Sequence, residues 1–370
     1  MTKVLISSHA YIVGLNQQKL ESLARNKDLR LSLLVPKKWR SVLREIALEK
    51  VDDPGYNVYP TEAFFQGKND RFFYNPFDLL RVFHSAAPDI VHIEEEPWSV
   101  ACLELMLAAK LFGAKALFFT WENLSRSHKP WYALIERINL FLADGAIAGN
   151  SEAKVVLETK GFRRPVIVLP QLGIDLETFK KTNPEKVKKE LGLKGFVIGF
   201  VGRLDPQKGI KDLVTSVQKL SFDWQLFIVG NGPLKEWVEA ESKKDTRIIY
   251  HGVADHSDMP KLFNAMDVFV LPSVSTEVWK EQFGHTLIEA MATEVPVIGS
   301  NSGAIPEVIG EAGLIFKEGN VEDLREKIKQ VYEDKKLMKD LSLKGLERVK
   351  KSYTNQEISL QTLRFYDSLF

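Results

Sequence analysis

Short runs of β-branched and aliphatic residues alternate with longer stretches of helical spacing, and this alternation constrains what the chain can fold into. Runs of this length, bounded by turn residues, predict buried strands of parallel sheets. A first series is Val4–Ser7, Leu31–Val35, Ile90–Ile93, Ala116–Thr120, Gly145–Ala148 and Val166–Leu169. A second series is Val197–Val201, Gln225–Val229, Ile248–Tyr250, Val268–Leu271 and Val295–Ile298. Alternation of this kind is typical of doubly wound α/β domains.

The length of 370 residues is more than one hydrophobic core usually serves. The two series therefore predict two Rossmann-like domains that face a central cleft. We expect a first domain over residues 1–172, a linker over 173–190 and a second domain over 191–353. The tail, about residues 354–370, has apolar residues at helical spacing and is predicted to form a helix that packs back on the first domain.

The charge balance and the cysteine count argue against several classes of protein. A formal net charge of +1 argues against a general nucleic-acid binder, so no nucleic-acid partner is expected. The single cysteine, Cys102, cannot form an internal disulfide, which fits a reducing compartment. No apolar run approaches the length of a membrane span. We expect a cytoplasmic protein, with attachment to the inner face of the membrane as an open alternative.

The segment that starts at Glu281 holds two glutamates eight residues apart, with the turn-forming Gly284 between them. A helix that begins near His285 or Thr286 directs unpaired backbone N–H groups, and the positive end of its dipole, at whatever lies before it. Such a helix N-terminus is a binding site for phosphate. Glu281 precedes this helix N-terminus and Glu289 lies one turn inside the helix. The two carboxylates would therefore bind hydroxyls on either side of a diphosphate. Two solvated charges are the common alternative, but a strand–loop–helix junction favours the site.

Two cations follow the first strand of the second series. Arg203 and Lys208 are predicted to lie at the carboxyl end of a parallel sheet, where α/β folds bind ligands. Arginine binds phosphate with a fork of donors, and lysine adds a point charge. A surface turn with solvated cations is the alternative. No GxxxxGK[ST] loop occurs, which argues against a P-loop nucleotidase.

Several of these segments occur in the order found in one known family. The segments are Gly202–Leu204 with Lys208 and Gly209, Gly230–Pro233, His251 with Gly252, Met266–Ser273, Glu281 with Glu289, Gly303–Glu307, and Gly173–Asp175 with Phe179. On these residues, the chain from about 170 to 320 resembles the retaining glycosyltransferases of family 4, within the glycosyl transferases group 1. That family has the two-domain GT-B fold.

The resemblance implies a role for each matching residue. Arg203 and Lys208 would hold the donor diphosphate and offset charge on the leaving group, and Glu281 would bind hydroxyls of the transferred sugar. Glu289 would bind the ribose, and Val253 would lie beside the base. The other donor-site positions implied are the backbone amides around Phe283, Gly284, His285 and Thr286, and the pocket walls at Gly202, Gly230 and Ser273.

The implied reaction moves a sugar from a UDP- or GDP-type nucleotide-sugar to a hydroxyl of a saccharide or lipid-linked saccharide, with retention of configuration. Two cations and a helix N-terminus can stabilise the departing diphosphate. No carboxylate cluster in the sequence demands a metal, so neither a metal nor another cofactor is expected. Glu281 as a glycosidase-like nucleophile and attack from the leaving-group side both stay open. A GT-B epimerase of UDP-sugars and a non-catalytic nucleotide-sugar binding protein are the alternative functions.

The first domain departs from the family pattern at two positions. After the first strand, family members often have a paired-glycine loop, and this chain offers Gly14, which we assign to the donor side of the cleft. After the strand that ends at Thr120, many members carry a histidine that contacts the sugar, and Glu122 takes that place. Glu122 is predicted as a fourth catalytic residue, which orients a sugar hydroxyl or takes a proton from the acceptor. A hydrogen-bonded loop glutamate is the alternative.

Three other features of the first domain have two interpretations each. The carboxylates of Glu94–Glu96 are predicted to favour the N-terminus of the next helix, with acceptor hydroxyls as the alternative. His9 is interpreted as a loop histidine near the cleft rather than a base. The mixed cations and aromatics of residues 37–40, 64–65 and 72–77 would suit an anionic membrane face, with burial in the core as the alternative.

Overall fold

The structure is a computed structural model that describes residues 1–40, 45–126 and 128–370. Its strands are β1 (Thr2–Ser7), β2 (Leu29–Pro36), β3 (Lys38–Arg40), β4 (Glu45–Ala47), β5 (Asn57–Thr61), β6 (Ala63–Phe64), β7 (Phe73–Tyr74), β8 (Ile90–Ile93), β9 (Lys115–Thr120), β10 (Gly145–Ala148), β11 (Val166–Val168), β12 (Phe196–Val201), β13 (Trp224–Val229), β14 (Ile248–Gly252), β15 (Val268–Leu271), β16 (Val297–Ser300) and β17 (Gly313–Phe316).

Its α-helices are α1 (Gln18–Ala24), α2 (Pro76–Ala86), α3 (Val100–Leu111), α4 (Pro130–Leu142), α5 (Ser151–Thr159), α6 (Pro184–Leu191), α7 (Ile210–Val217), α8 (Lys235–Lys244), α9 (Met259–Asn264), α10 (His285–Ala292), α11 (Ile305–Ile309), α12 (Val321–Glu333), α13 (Lys335–Ser352) and α14 (Asn355–Asp367). Short 3-10 helices occur at His9–Ile12, Gly14–Gln17, Pro206–Lys208 and His256–Asp258.

The first compact unit comprises Met1–Gly173 together with Asn355–Phe370. Its main sheet has the order β11-β10-β9-β8-β1-β2-β5, and the paired strands run parallel. Two antiparallel pairs, β3 with β4 and β6 with β7, lie outside that sheet. Every predicted strand of the first series is present. The edge strand β5 was not predicted.

Helix α14 belongs to the first unit although the whole second unit precedes it in the chain. Ser359 Oγ of α14 donates to the Lys19 carbonyl of α1 at 3.2 Å. Tyr366 Oη lies 2.7 Å from His92 Nδ1 of β8. Ile358 and Phe365 are buried in the core of the first unit, so the apolar spacing of the tail reflects packing against that core.

The second compact unit comprises Ile174–Thr354, and its sheet has the order β14-β13-β12-β15-β16-β17 with parallel pairs. The strand order reverses between β12 and β15, which is the switch point where doubly wound sheets bind ligands. The last predicted strand starts two residues later than expected, at Val297. Glu294 has a left-handed φ of 59°, and the N–H of Val295 is bonded to the Ala290 carbonyl, so the chain is still turning there.

A buried ion pair organises the core of the first unit. The Lys19 ammonium contacts the Glu94 carboxylate, and their side chains are 2% and 0% exposed. Tyr11 donates to Glu94 Oε2 at 2.7 Å, and Lys19 Nζ donates to the Gln171 carbonyl at 2.9 Å. Burial raises the pKa of Glu94, but Lys19 and His92 more than offset burial and hold that pKa below its usual value. The network joins α1, β8 and the last residues before the second unit.

We predict that Lys19→Met destabilises the first unit by about 3–5 kcal/mol, because it leaves the buried Glu94 charge without its cation. Native-state hydrogen exchange of amides in β8 and α1 measures this change locally. The exposed Lys27→Met is the matched control and should be close to neutral. A Lys19→Met protein as stable as Lys27→Met would contradict the prediction.

Candidate functional site

The predicted phosphate-binding residues of the second unit meet at the carboxyl edge of its sheet. Gly202 and Arg203 follow β12, Gly230 follows β13, Val253 follows β14 and Ser273 follows β15 by two residues. Because all these strands are parallel, their carboxyl ends lie at one edge. Sheet order therefore brings segments together that are far apart in sequence.

Lys208 and Glu281, two residues predicted independently, are in direct contact. Lys208 Nζ donates to Glu281 Oε2 at 2.6 Å, and Ser273 Oγ donates to the same oxygen at 2.7 Å. Glu281 is only 6% exposed. The ammonium also lies 5.2 Å from the centroid of the Trp279 ring. The contact fixes one cation and one carboxylate beside each other at the switch point.

Two glycines allow the backbones around this ion pair to approach closely. Gly303 has φ of 51°, and a Cβ there would lie 2.1 Å from the Glu281 carbonyl oxygen. Gly209 has φ of 69°, and a Cβ there would lie 1.8 Å from the Pro272 carbonyl oxygen. A larger residue at position 209 would push the Lys208 segment away from Pro272, and a larger residue at position 303 would push the Glu281 segment away from itself.

Helix α10 begins at His285, where the sequence predicted a phosphate-binding helix N-terminus. Gly284 is its N-cap residue, with a left-handed φ of 80° and no side-chain capping bond. His285 and Thr286 form the first turn, so their N–H groups precede the helical hydrogen-bond ladder. Phe283 is buried, and its ring lies 5.0 Å from that of His285. The N-terminus of α10 is thus left to an anion or to water.

His285 is held neutral at physiological pH. Burial lowers its pKa to about 4, and His256 contributes in the same direction. The predicted contribution of this residue is its backbone N–H, which does not depend on the ring charge.

Glu289 is a buried carboxylate on α10. It is 8% exposed, and the described residues show no hydrogen bond or ion pair to its side chain. Burial raises its pKa to about 7. A carboxylate that burial desolvates in this way costs stability.

Arg203 and Val253 lie on the surface. The Arg203 side chain is 71% exposed, and its Nε lies 2.7 Å from Asp205 Oδ2. The cluster around Lys208 therefore includes one of the two predicted cations, and the diphosphate role of Arg203 stays a prediction. Val253 is 69% exposed. Gly230 packs against Gly202 so closely that a Cβ on Gly230 would lie 1.9 Å from the Gly202 carbonyl oxygen.

In the first unit, Glu122 is part of a charged cluster. Lys160 Nζ lies 2.6 Å from both Glu122 Oε2 and Glu136 Oε1, and His128 Nε2 lies 3.1 Å from Glu122 Oε1. The two carboxylates more than offset burial and raise the pKa of Lys160. Glu122, His128 and Glu136 are close enough to share a metal ion. The Lys160 ammonium already contacts both carboxylates, so the geometry fits an ion-pair cluster better than a metal site.

The structure shows contacts of Gly14 and of residues Glu94–Glu96 that the sequence did not predict. The Gly14 N–H donates to Glu49 Oε2 at 2.8 Å. The expectation that Glu94–Glu96 favour a helix N-terminus was wrong, because α3 begins at Val100 and is capped by Ser99. Glu96 instead accepts from Thr120 Oγ1 and from the Trp121 N–H. These partners could not be read from local sequence.

The aromatic segments of the first unit are divided between core and surface. Trp39, Phe72 and Tyr74 are buried, as the core alternative required. Phe64, Phe65 and Phe77 are exposed, by 46%, 60% and 76%. Within the part of the chain that the structure describes, no helix has the length and apolarity to cross a bilayer.

Comparisons with known proteins identify what this chain is similar to. Residues 181–348 match the family model of the glycosyl transferases group 1. The capsular polysaccharide biosynthesis glycosyltransferase CapM of Staphylococcus aureus is 30% identical over 242 residues, 61% of this chain and 62% of that protein. The lipopolysaccharide core biosynthesis mannosyltransferase LpsB of Rhizobium meliloti (strain 1021) is 29% identical over 313 residues, 76% of this chain and 84% of that protein. The chain thus spans less than two thirds of CapM.

A solved structure shares the fold over its full length. Anabaena Alr3699/HepE, crystallised in complex with UDP, superimposes on this chain with a TM-score of 0.76 at 17% sequence identity. The alignment covers 100% of this chain and 100% of HepE. At that identity the likeness shows the fold, which is GT-B with two Rossmann-like domains. The chain is therefore similar to the glycosyl transferases group 1 over residues 181–348 and to the two named glycosyltransferases over the lengths given above.

We predict that Glu289→Gln removes a pH-dependent loss of stability from the ligand-free protein. The wild-type carboxyl titrates near 4.5 when unfolded and near 7 when folded, so wild-type stability falls as pH rises between these values. The difference corresponds to roughly 3 kcal/mol. Urea unfolding measures this difference. The free energy of unfolding of the variant, relative to that of wild type, should be larger at pH 8 than at pH 4.5.

The exposed Glu236→Gln on α8 is the control for the loss of a carboxylate. It should track wild type at both pH values. A Glu289→Gln protein that also tracks wild type would show that the carboxyl is not desolvated.

Proposed function

We propose that this chain is a retaining, metal-independent glycosyltransferase. It transfers a sugar from a UDP- or GDP-type nucleotide-sugar to a hydroxyl of a saccharide or lipid-linked saccharide. The observation that carries the proposal is the Lys208–Glu281 pair beside the switch point of a doubly wound sheet. The HepE structure in complex with UDP and the relatives CapM and LpsB support it.

The donor would bind to the second unit through its phosphates. An ammonium has three donors, so Lys208 can keep its bond to Glu281 and give further hydrogen bonds to a diphosphate. The amides of Gly284, His285 and Thr286 add the helix N-terminus. Arg203 is exposed and can exchange its contact with Asp205 for a phosphate, since a surface ion pair of this kind costs little to break.

The remaining donor contacts follow from burial. Glu281, oriented by Ser273 and Lys208, would accept hydrogen bonds from hydroxyls of the sugar. Glu289 would accept hydrogen bonds from the ribose and so gain the partner it lacks. Val253 would lie by the base, and Gly230 would shape the pocket wall by its close approach to Gly202.

Catalysis would come from stabilising the departing diphosphate. Breaking the bond from the anomeric carbon to the phosphate oxygen leaves an oxocarbenium-like sugar and a nucleoside diphosphate. Lys208, Arg203 and the helix N-terminus supply positive potential without a metal. The family resemblance favours attack from the leaving-group side over a covalent bond to Glu281, whose carboxylate already accepts two hydrogen bonds. The anomeric configuration of the product, read by NMR, tests retention.

The acceptor would bind to the first unit. Glu122 is held by Lys160 and His128, so we assign it an orienting role toward a sugar hydroxyl rather than proton abstraction. Gly14, whose N–H is bonded to Glu49, stays assigned to the donor side.

A lipid-linked acceptor would bring the protein to the inner face of the membrane. Phe64, Phe65 and Phe77 expose their rings, and Lys68 and Arg81 are exposed nearby in the chain. Exposed aromatics with cations fit the interface of an anionic bilayer. Helix α4 adds a second apolar set, with exposed Trp131, Leu134 and Phe141. Tyr132 of α4 donates to Asp70, which connects that helix to the loop before β7.

The test of the proposed function is nucleoside-diphosphate release that requires an acceptor. UDP, GDP and a panel of their sugars are first screened by thermal shift, since a bound ligand at a hundredfold excess over Kd stabilises by about 2.7 kcal/mol. The best donor is then incubated with free sugars and octyl glycosides. Release only with an acceptor supports transfer. Donor binding without release would indicate a binding protein, and conversion of the donor sugar without an acceptor an epimerase.

We predict that Glu281→Ala and Lys208→Ala each lower kcat by about 100-fold, because each removes one preorganised charge contact. Since the two residues touch, the double variant should lose less than the product of the single losses. The exposed Lys235→Ala on α8 is the control and should keep wild-type turnover. Near-wild-type kcat in either single variant would contradict the assigned roles.

We predict that the protein floats with anionic phosphatidylglycerol vesicles at low salt and is released at high salt. Replacing Phe64, Phe65 and Phe77 by serine should abolish flotation, because the interfacial contact is lost. The control Leu343→Ser changes an exposed apolar residue on α13 of the second unit and leaves the three rings unchanged, so it should float like wild type. No flotation of the wild type at low salt would end the membrane assignment.

A further inference from the structure

The indole ring of Trp279 faces the ammonium group of Lys208 within the second unit. Lys208 Nζ lies 5.2 Å from the centroid of the ring, which is within the range of a cation–π contact. The same nitrogen donates to Glu281 Oε2 at 2.6 Å. Because Trp279 precedes Glu281 by only two residues, one short segment of the chain contacts the ammonium through both a ring and a carboxylate.

Backbone hydrogen bonds connect the turn that ends at Trp279 to the segment that carries Lys208. The N–H of Thr276 donates to the Trp279 carbonyl at 2.8 Å and closes the turn. At the start of the same turn, the N–H of Val274 donates to the carbonyl of Gln207 at 2.8 Å, directly before Lys208 in the chain. The ring and the ammonium are therefore carried by two segments that the backbone holds together.

An aromatic ring can hold an ammonium in place without cancelling its charge. The face of an indole attracts a cation through its quadrupole and carries no net charge. A second carboxylate in place of the ring would give the cluster a net charge of −1 and would repel a diphosphate. The first unit contains that other arrangement, since Lys160 Nζ lies 2.6 Å from both Glu122 Oε2 and Glu136 Oε1.

The Lys208 ammonium keeps hydrogen-bonding capacity for a ligand. An ammonium has three N–H donors, and the bond to Glu281 uses one of them. The Lys208 side chain keeps 20% of its surface exposed, and Trp279 is half-buried, so neither group is closed off from solvent. A lysine side chain otherwise has many rotamers, and each contact that restricts them lowers the entropy lost when a ligand binds.

We infer that Trp279 is a positioning residue that holds the Lys208 ammonium ready for the donor diphosphate. Its ring restricts the ammonium from one direction and Glu281 restricts it from another, while the positive charge stays available. This rests on the proposed function, in which Lys208 binds that diphosphate. All the groups involved belong to the second unit.

A second pair of the same chemistry in this unit provides a matched control. Lys211 Nζ of α7 lies 5.4 Å from the centroid of the Trp237 ring of α8. Like Trp279, Trp237 is half-buried. This pair has no part in the proposed donor site, so its loss should not change transfer.

The first test measures kcat/KM for the donor in variants of the two tryptophans, using the nucleotide-sugar and octyl glycoside found in the screen. Trp279→Leu should lower kcat/KM by about fivefold, and Trp279→Phe should lose less because it keeps an aromatic face. In a Lys208→Ala background, Trp279→Leu should cost nothing further, since no ammonium is left to position. Trp237→Leu should match its parent in both backgrounds.

The second test changes the electrostatics of the ring and leaves its shape almost unchanged. Position 279 is replaced by tryptophan analogues that carry one, two or three fluorine atoms on the ring, which withdraw electron density from its face. The logarithm of kcat/KM should fall stepwise with the number of fluorine atoms, because the cation–π attraction weakens at each step. The same replacements at position 237 should leave kcat/KM unchanged.

The outcomes separate this inference from the proposed function. Trp279→Leu with wild-type kcat/KM, an equal loss in the Lys208→Ala background, or no dependence on fluorine would overturn the positioning role and leave the transferase intact. A wild-type protein that binds or transfers no sugar from any nucleotide-sugar would instead overturn the proposed function, and this inference with it.

Discussion

The ion pair between Lys208 and Glu281 is the contact on which the site of the second unit depends. Their side chains are 20% and 8% exposed, so the pair is partly desolvated and each charge needs the other. Ser273 donates a second hydrogen bond to the Glu281 carboxylate. Gly209 and Gly303 allow close backbone contacts with Pro272 and Glu281. In the proposed function, an ammonium fixed this way would need little reorganisation when a phosphate binds, which is the condition for electrostatic catalysis.

The fold was largely predictable because strands of parallel sheets are buried on both faces. Continuous apolar runs such as Ile90–Ile93 and Val268–Leu271 were placed at their observed bounds. The strands that escaped prediction carry weaker signals for physical reasons. Asn57–Thr61 is an edge strand whose two exposed positions are Asn57 and Pro60, and Gly313–Phe316 is a short edge strand that begins with glycine.

The site was predictable where a short segment carries both its geometry and its chemistry. Gly284 before α10 and Lys208 after β12 are local signals, and the structure places their groups where the pattern indicated. Partners set by sheet order were not predictable. Glu122 contacts Lys160, which is 38 residues away in sequence, and His9 contacts Glu95, which is 86 residues away. The local sequence around one member of each pair does not indicate the other member. The exposed Arg203 shows that even a correct location leaves a flexible side chain undetermined.

Buried carboxylates of this chain differ in whether the protein supplies them with a partner, and the difference bears on the proposed function. In the first unit, Glu94 and Glu95 each have a partner within the protein, which stabilises the fold and holds groups in place. In the second unit, Glu289 has burial as the sole cause of its raised pKa. Burial without an ion pair costs stability in the ligand-free protein. In the proposed function, a ribose hydroxyl would donate a hydrogen bond to Glu289 and offset that cost, which is the physical reason for assigning this contact.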